Sequence, residues 1–537
     1  MVHITRQNCR SFTGRFWNEG VKRCFALLPM MLLTLLLLPT RIAAQTATED
    51  QRYALFNSSD GTTDYVAEYD ATNKTLTFKK NDADVSDISS NIVFVGNYNN
   101  VAEICKALGN VTIKEIVFDK SFNTYAPTSL NSFFKDLKSL KTITDLEYLN
   151  TANVTDMSSM FYSCRYLTEL DLSNFNTEKV TDMSSMFDGC GKLTKLDISN
   201  FNTAGVMDMS SMFEDCGKLT KLDISKFNTA NVKNMRSMFE GCGILTELNL
   251  SNFNTTNVTD MSHMFSKCAV LASLDLSKFN TTNVTSMSHM FSGCTKLASL
   301  DFSKFNTENV KEMISMFYSC ENLTLLDLSN FNTTKVMNMS YMFNKCSILQ
   351  TIYVSDNFVV TGITNEKNKK DMFTDCKALK GALPEYDATK TNVEFANYKT
   401  GYFTKLVVRN GDERYGIAGE TTQLIVDKLS LDDTKDLVVY DPFTATAASY
   451  SRTMEDGTTW ATLCLPFEVL LDGQNFRAFK LLSADERTNT IELEEVNTTI
   501  SAGTPVFIKM NEEANSLSFS VVDKEIANEV KIAATAD

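Results

Sequence analysis

The sequence predicts an α/β repeat fold: a right-handed solenoid of short helices and parallel strands, followed by a C-terminal β-rich, sandwich-like domain. Three observations carry that prediction. Cysteine recurs at Cys164, Cys190, Cys216, Cys242, Cys268, Cys294, Cys320 and Cys346, a constant step of 26, and a fixed period in this range marks stacked structural repeats. Each period contains one segment with helical spacing and one with strand alternation. From about Lys405 the period is lost and strand-like runs bounded by turn residues take over.

The unit is clearest in Val180 to Phe201. Met183, Met186, Phe187 and Cys190 stand at i, i+3, i+4 and i+7, which puts them on one face of a short helix. Asp182 occupies the N-cap position and Gly189 the place where that helix must stop. Leu196 and Ile198 then alternate with Lys195, Asp197 and Ser199, the pattern of a strand with one buried face. A single unit cannot cover its own apolar face, so neighbours must stack on it.

These residues carry a family resemblance. The pattern M-F-x-x-C-x-x-L-x-x-L-D-L-S-x-F-N-T-x-x-V-x-x-M over seven repeats, from about Val154 to Asn338, resembles the BspA-type leucine-rich repeat surface proteins of host-associated bacteria and some protists. The resemblance implies a right-handed leucine-rich-repeat solenoid and adhesion to extracellular-matrix components. Where many such repeats carry an asparagine, this chain has Phe175, Phe201, Phe227, Phe253, Phe279, Phe305 and Phe331, read as a stacked spine replacing the asparagine ladder.

Taken in order, residues 1–44 read as a signal peptide. Arg6, Arg10, Arg15, Lys22 and Arg23 precede the apolar run Phe25 to Leu38, and Ala43-Ala44 offers a small-residue cleavage site. The run is short for a membrane span, so export is expected, with an extracellular or cell-surface location and no transmembrane span in the mature chain. Residues 45–90 form a polar flank with strand candidates Tyr65 to Tyr69 and Thr75 to Phe78. The solenoid is placed at 91–404, about ten turns, degenerate at both ends. Its first turn draws a helix face from Val101, Ile104, Cys105 and Leu108 and a strand from Ile113, Ile116 and Phe118. The β-rich domain is placed at 405–537, with runs at Leu424 to Val426, Leu437 to Tyr440, Trp460 to Phe467 and Gly503 to Met510. Val530 to Ala533 gives no sign of ending a fold, which leaves a truncated C-terminus open. No L-P-x-T-G motif, lipid-box cysteine or C-terminal hydrophobic tail is found, so the mode of surface attachment stays open.

Composition narrows the function. The chain has 51 Lys and Arg against 66 Asp and Glu, a net charge of −15. Six basic residues and one acidic residue leave with residues 1–44. A surface this acidic repels phosphate backbones, which argues against nucleic-acid partners. Of three histidines, His263 and His289 lie beyond the leader, 26 apart. A Ser-His-Asp or Cys-His set has almost nothing to work with, and the pair reads as replacement of an exposed serine before it reads as a metal site. The repeat cysteines read as small buried apolar side chains, with stacked disulfides as the alternative. No catalytic residue, cofactor or metal is assigned.

The candidate binding face lies on the strands. Asp171, Asp197, Asp223, Asp275, Asp301 and Asp327 form an outward column, broken by Asn249. Such a ladder repeats one environment, whereas catalysis needs two carboxylates in different ones. Hydrogen bonding to neighbouring Ser, Thr or backbone donors is the structural reading, with calcium or ligand binding as the functional one. Beside it Glu169, Lys195, Lys221, Glu247, Ser273, Ser299 and Leu325 change from turn to turn. On an extended concave face, that variation suits a protein or glycoprotein partner on a host or cell surface. The alternatives are a structural spacer, or a carbohydrate-active enzyme or other hydrolase with its site after Lys405; against a sugar platform there, Trp460 is the single tryptophan beyond the leader.

Overall fold

The computed structural model describes residues 65–81, 98–421, 423–454, 459–485, 490–511 and 516–526 in full, and the backbone of Gln51–Phe56, Ile92–Val95 and Lys531–Ile532. The expected leader, 1–44, lies outside the described residues. The chain is strand-rich and not α/β as expected, because the repeat segments read as helices are something else. Among the described residues there is one α-helix, α1 (Val101–Ala107), capped by Asn100, whose Oδ1 accepts the Glu103 N–H at 2.9 Å.

The segment M-S-S-M-F-x-x-C folds as a run of tight turns. Ser159, Ser185, Ser211, Ser237, His263, His289, Ser315 and Tyr341 all have φ between 51° and 61°. A left-handed residue interrupts a right-handed helix. A second left-handed position follows four residues later, held by Gly189 (φ 73°) and Gly241 (φ 74°) but also by Asp215 and Lys267. The cause is where the amides go. Met183, Ser185, Phe187 and Gly189 donate to Asp208, Ser210, Met212 and Glu214 of the next turn at 2.7–3.1 Å, while Met186, Asp188 and Cys190 close i→i+3 bonds at 3.0–3.3 Å. Half the amides of the segment are used between turns, so an α-helix has no amides left to build from. The burial pattern is unaffected: Met183, Met186, Phe187 and Cys190 are fully buried.

Successive turns are joined by single parallel bridges from Ser129 through Asp156, Asp182, Asp208, Asn234, Asp260, Ser286 and Glu312 to Asn338. The strand segments pair at both ends of the stack. β1 (Gln51–Phe56), β2 (Tyr65–Asp70), β3 (Thr75–Lys80), β4 (Ile92–Val95), β5 (Glu115–Phe118) and β6 (Thr142–Thr144) form one sheet in the order β4-β1-β2-β3-β5-β6. Its β1-β2-β3 part is antiparallel, and β3-β5-β6 is parallel. β7 (Glu169–Asp171) pairs with β8 (Lys195–Asp197), and β9 (Leu325–Asp327) with β10 (Thr351–Val354).

Between them the expected strands at 221–223, 247–249, 273–275 and 299–301 do not form a ladder. Two phenylalanine columns run through these turns at different ring spacings. Phe187, Phe213, Phe239, Phe265 and Phe291 on the turn side stack at 5.6–5.9 Å, whereas Phe253, Phe279 and Phe305 beyond the strands stand 6.5 Å apart.

The phenylalanines Phe175 to Phe331 lie in the core, each at most 4% exposed. The hydrogen bonding of an asparagine ladder is carried instead by threonines. Thr177 Oγ1 accepts the Asn202 N–H at 2.7 Å and donates to the Asn202 carbonyl at 3.0 Å; Thr203, Thr229, Thr255, Thr281 and Thr307 repeat this toward Asn228, Asn254, Asn280, Asn306 and Asn332.

The apolar core of the stack runs from Tyr65 to Phe403, and a second core runs from Val407 to Ile526. β11 (Phe403–Asn410) belongs to both, pairing in parallel with β10 and antiparallel with β12 (Glu413–Ile417), so the expected border at 404/405 falls inside a strand. The remaining strands are β13 (Leu424–Val426), β14 (Leu429–Asp432), β15 (Leu437–Val439), β16 (Phe443–Thr453), β17 (Trp460–Leu463), β18 (Val469–Leu470), β19 (Phe476–Asp485), β20 (Thr490–Val496), β21 (Thr499–Ile500), β22 (Val506–Met510), β23 (Ser516–Ile526) and β24 (Lys531–Ile532). β16 takes β13, β14 and β23 as neighbours, and a second sheet runs β17-β22-β19-β20.

Candidate functional site

The aspartate column closes the turn after each strand segment. Asp171, Asp197, Asp223, Asp275, Asp301 and Asp327 each accept the N–H of the serine two residues on, at 2.8–3.1 Å, and Asn249 does the same. These are Asx turns, a local role that keeps the carboxylate at the surface. The serine hydroxyl, then its backbone N–H, hold Asp197, Asp223 and Asp275 below the usual carboxylate range.

The variable column beside it faces water. Lys195 reaches back to Glu169 at 3.1 Å and Lys221 forward to Glu247 at 3.6 Å, with all four side chains 61–79% exposed. Ion pairs this open contribute little to stability and leave their charges available to a partner. At the last turns the face changes character. Asp327 is partly buried and accepts Arg414 Nε at 2.8 Å, and Asp301, Asn330, Arg409 and Tyr440 line a polar cavity of about 20 Å³ beside it.

A second patterned column lies on the turn side, where apolar spacing reports the buried face and leaves the outward positions unmarked. The position after each repeat phenylalanine holds Tyr162, Asp188, Glu214, Glu240, Ser266, Ser292 and Tyr318. Glu240 is 8% exposed. It accepts Lys267 Nζ at 2.9 Å and Ser237 Oγ at 3.0 Å, and lies 3.3 Å from His263 Nδ1. Burial works against its charge, but His263, Lys267 and Ser237 outweigh that and hold the carboxyl at about 2. Among the described residues Asp188 has no such cation: burial first, then Glu214 and Asp215, push its carboxyl up to about 7. His289 stacks on His263 at 4.4 Å, and burial, with the charge of His263, lowers it to about 4. Among the described residues no group of three or more His, Cys, Asp or Glu is placed to hold a metal ion.

The repeat cysteines are free and buried. Each thiol donates to a phenylalanine carbonyl of the preceding turn, as Cys190 to Phe161 at 3.2 Å and Cys242 to Phe213 at 3.2 Å. Burial pushes Cys242 and Cys294 up to about 12, which leaves them unreactive as nucleophiles. No helix among the described residues is long and apolar enough to cross a membrane.

Fold and faces together define a repeat protein: stacked 26-residue turns on a constant hydrogen-bonded frame, with outward columns whose residues vary. The chain belongs to the family described as "Mycoplasma protein of unknown function, DUF285", which matches residues 78–170, 128–247, 165–274, 242–354 and 269–386, together more than half of its length. No curated protein matches it. Among solved structures it is similar to a chain of the TLR13-ssRNA13 complex, at 14% identity over 56% of this chain and 55% of that one, with a TM-score of 0.15. It is also similar to chains of the Toll-Spatzle complex, "a molecular hub in Drosophila development and innate immunity", at 15% identity over 59% and 51% (TM-score 0.14) and at 12% over 55% and 62% (TM-score 0.13). These matches span between half and two thirds of those chains, and at such TM-scores they add nothing to the architecture set by the hydrogen bonds.

Proposed function

We propose that this chain is an exported, cell-surface or secreted protein that binds host or cell-surface macromolecules through the strand face of its repeats and performs no catalysis. In this reading the stack is a right-handed solenoid of the leucine-rich-repeat class, BspA-like in its repeat, and the arginine-led apolar run Phe25 to Leu38 directs export. The observation that carries it is the column Glu169, Lys195, Lys221, Glu247: one position, repeated every turn, whose charge changes while the buried core and the threonine ladder repeat. A ligand lying along it meets a sequence of charges and is fixed in register by them.

The test is retention of host-surface glycoproteins by the immobilised full chain. The double change Lys195→Glu and Lys221→Glu should alter affinity and its salt dependence. Ser184→Ala with Ser210→Ala, on the turn side, should leave both unchanged. Equal effects from the two pairs, or none from either, remove the strand face as the site.

A further inference from the structure

The first turn departs from the hydrogen-bonded frame of the others. In a regular turn alternate amides donate to the next turn, as Met183, Ser185, Phe187 and Gly189 do. The amides of α1 are used inside the helix instead: Leu108 donates to the Ile104 carbonyl at 2.9 Å, and within α1 Val101 alone reaches the second turn, at the Phe133 carbonyl (2.8 Å). Past that bond the two turns part, and a cavity of about 300 Å³ opens between the end of α1, the loop after it and the second turn. Ligand sites begin at about this size, roughly 300–1,000 Å³. Every residue that lines the cavity is among the described residues.

Its floor is apolar. Cys105, Ile113 and Leu137 are buried and Val111 is half-buried. Burial pushes the Cys105 thiol up to about 12, so it lines the cavity as a small apolar group and not as a nucleophile. Apolar surface left open to water favours an apolar ligand. The lip is basic, with Lys106 from α1 and Lys138 from the second turn, both exposed. Two further lysines adjoin it: the Lys141 N–H donates to the Lys114 carbonyl at 2.8 Å, which sets Lys114 and Lys141 side by side just ahead of β5 and β6. Of the nearby carboxylates, Glu115 accepts the Thr75 hydroxyl at 3.2 Å, and Asp136, which also lines the cavity, lies 3.8 Å from Lys138. The lining therefore holds two ammonium groups against one carboxylate.

We propose that this cavity binds a small amphipathic anion, an apolar chain or ring bearing one carboxylate, with the apolar part against Val111, Ile113 and Leu137 and the carboxylate met by Lys106 and Lys138. Lysines are point charges on flexible stems and can follow the headgroup of a short ligand. An uncharged ligand leaves them unused. A polyanion, nucleic acid and acidic glycan alike, runs on from this end of the stack to turns whose outward columns begin with Glu169 and Asp171, and is repelled there. A small ion stays among the lysines, and exposed charges more than about 10 Å away are largely screened at moderate salt. The site does not depend on the strand face of the repeats and stands whether or not that face binds anything.

The experiment is isothermal titration calorimetry of the full chain with sodium octanoate, with 1-octanol and sodium acetate as the tail-only and headgroup-only comparisons. Octanoate should bind at one site, more tightly than either comparison, and weaken as salt rises. Lys106→Gln with Lys138→Gln should weaken octanoate by about tenfold, the loss expected for hydrogen bonds to a charged group. Ala102→Phe, at an exposed position of α1 on the cavity wall, should block octanoate while circular dichroism stays that of the unaltered chain. Lys195→Glu with Lys221→Glu should leave binding intact. No binding of octanoate by the unaltered chain, or equal binding by the unaltered chain and both cavity variants, overturns the cavity as a site. Octanol bound as tightly as octanoate overturns the anionic class of ligand.

Discussion

Thr255→Val isolates what joins one turn to the next. The side chain is fully buried, and its hydroxyl both accepts the Asn280 N–H and donates to the Asn280 carbonyl, each at 2.8 Å. Valine keeps the shape and removes the oxygen, so an amide and a carbonyl lose their partner together. A buried polar group left unpaired costs about 1–3 kcal/mol, which for the two groups gives about 2–6 kcal/mol. That is a large part of the ~5–15 kcal/mol that holds a typical domain. The loss falls on the coupling between turns and not within one, so unfolding should become less cooperative as well as easier. Thr255→Ser is the control, because it keeps the hydroxyl and gives up one methyl. Urea unfolding followed by circular dichroism, with hydrogen exchange at the Asn280 amide, reads both effects. The valine variant should show a lower midpoint, a shallower transition and faster exchange at Asn280, and the serine variant should stay near the unaltered chain. If valine and serine cost the same, packing and not the hydroxyl joins the turns, and the ladder has no energetic role.

Two further outcomes follow from the turn side of the stack. The Asp188 carboxyl has its folded value raised from 3.8 to about 7, so its charge subtracts stability as pH rises through that window and by a constant amount above it. Asp188→Asn should therefore melt higher at pH 8, by about 1–2 kcal/mol once solvent screening of a half-open site is allowed for, with the gap closing toward pH 4; a gap that does not vary with pH refutes the assignment. For the thiols, among the described residues ten cysteines are buried and Cys464 is partly exposed. A thiol reagent at pH 8 should label Cys464 in the folded chain and reach those ten only in denaturant without reductant, and failure to recover them there would mean that they are oxidised.

How much of this was legible depends on where each residue finds its partner. The burial of Met183, Met186, Phe187 and Cys190 could be read directly, since apolar spacing reports which side faces the core whatever backbone delivers it. The same spacing is shared by a helix and by a run of tight turns, and the choice between them lay with amides whose acceptors sit about 25 residues away. The aspartate column was visible as a column, and its Asx-turn role was among the readings it allowed. In the turn-side cluster the pair His263 and His289 was visible from its spacing of 26, whereas Glu240 and Asp188 were hidden, because they come from other turns and carry no shared motif with it.

By itself, then, the sequence determined the period, the residues that line the core, and the positions free to vary, because those follow from hydrophobicity repeated at a constant interval. Only the tertiary structure decided the backbone of the turns, the threonine ladder that joins them, and the ring contact between Trp460 and Phe479. Each of these depends on hydrogen bonds or ring contacts between residues that stacking and strand pairing bring together and that no local pattern connects.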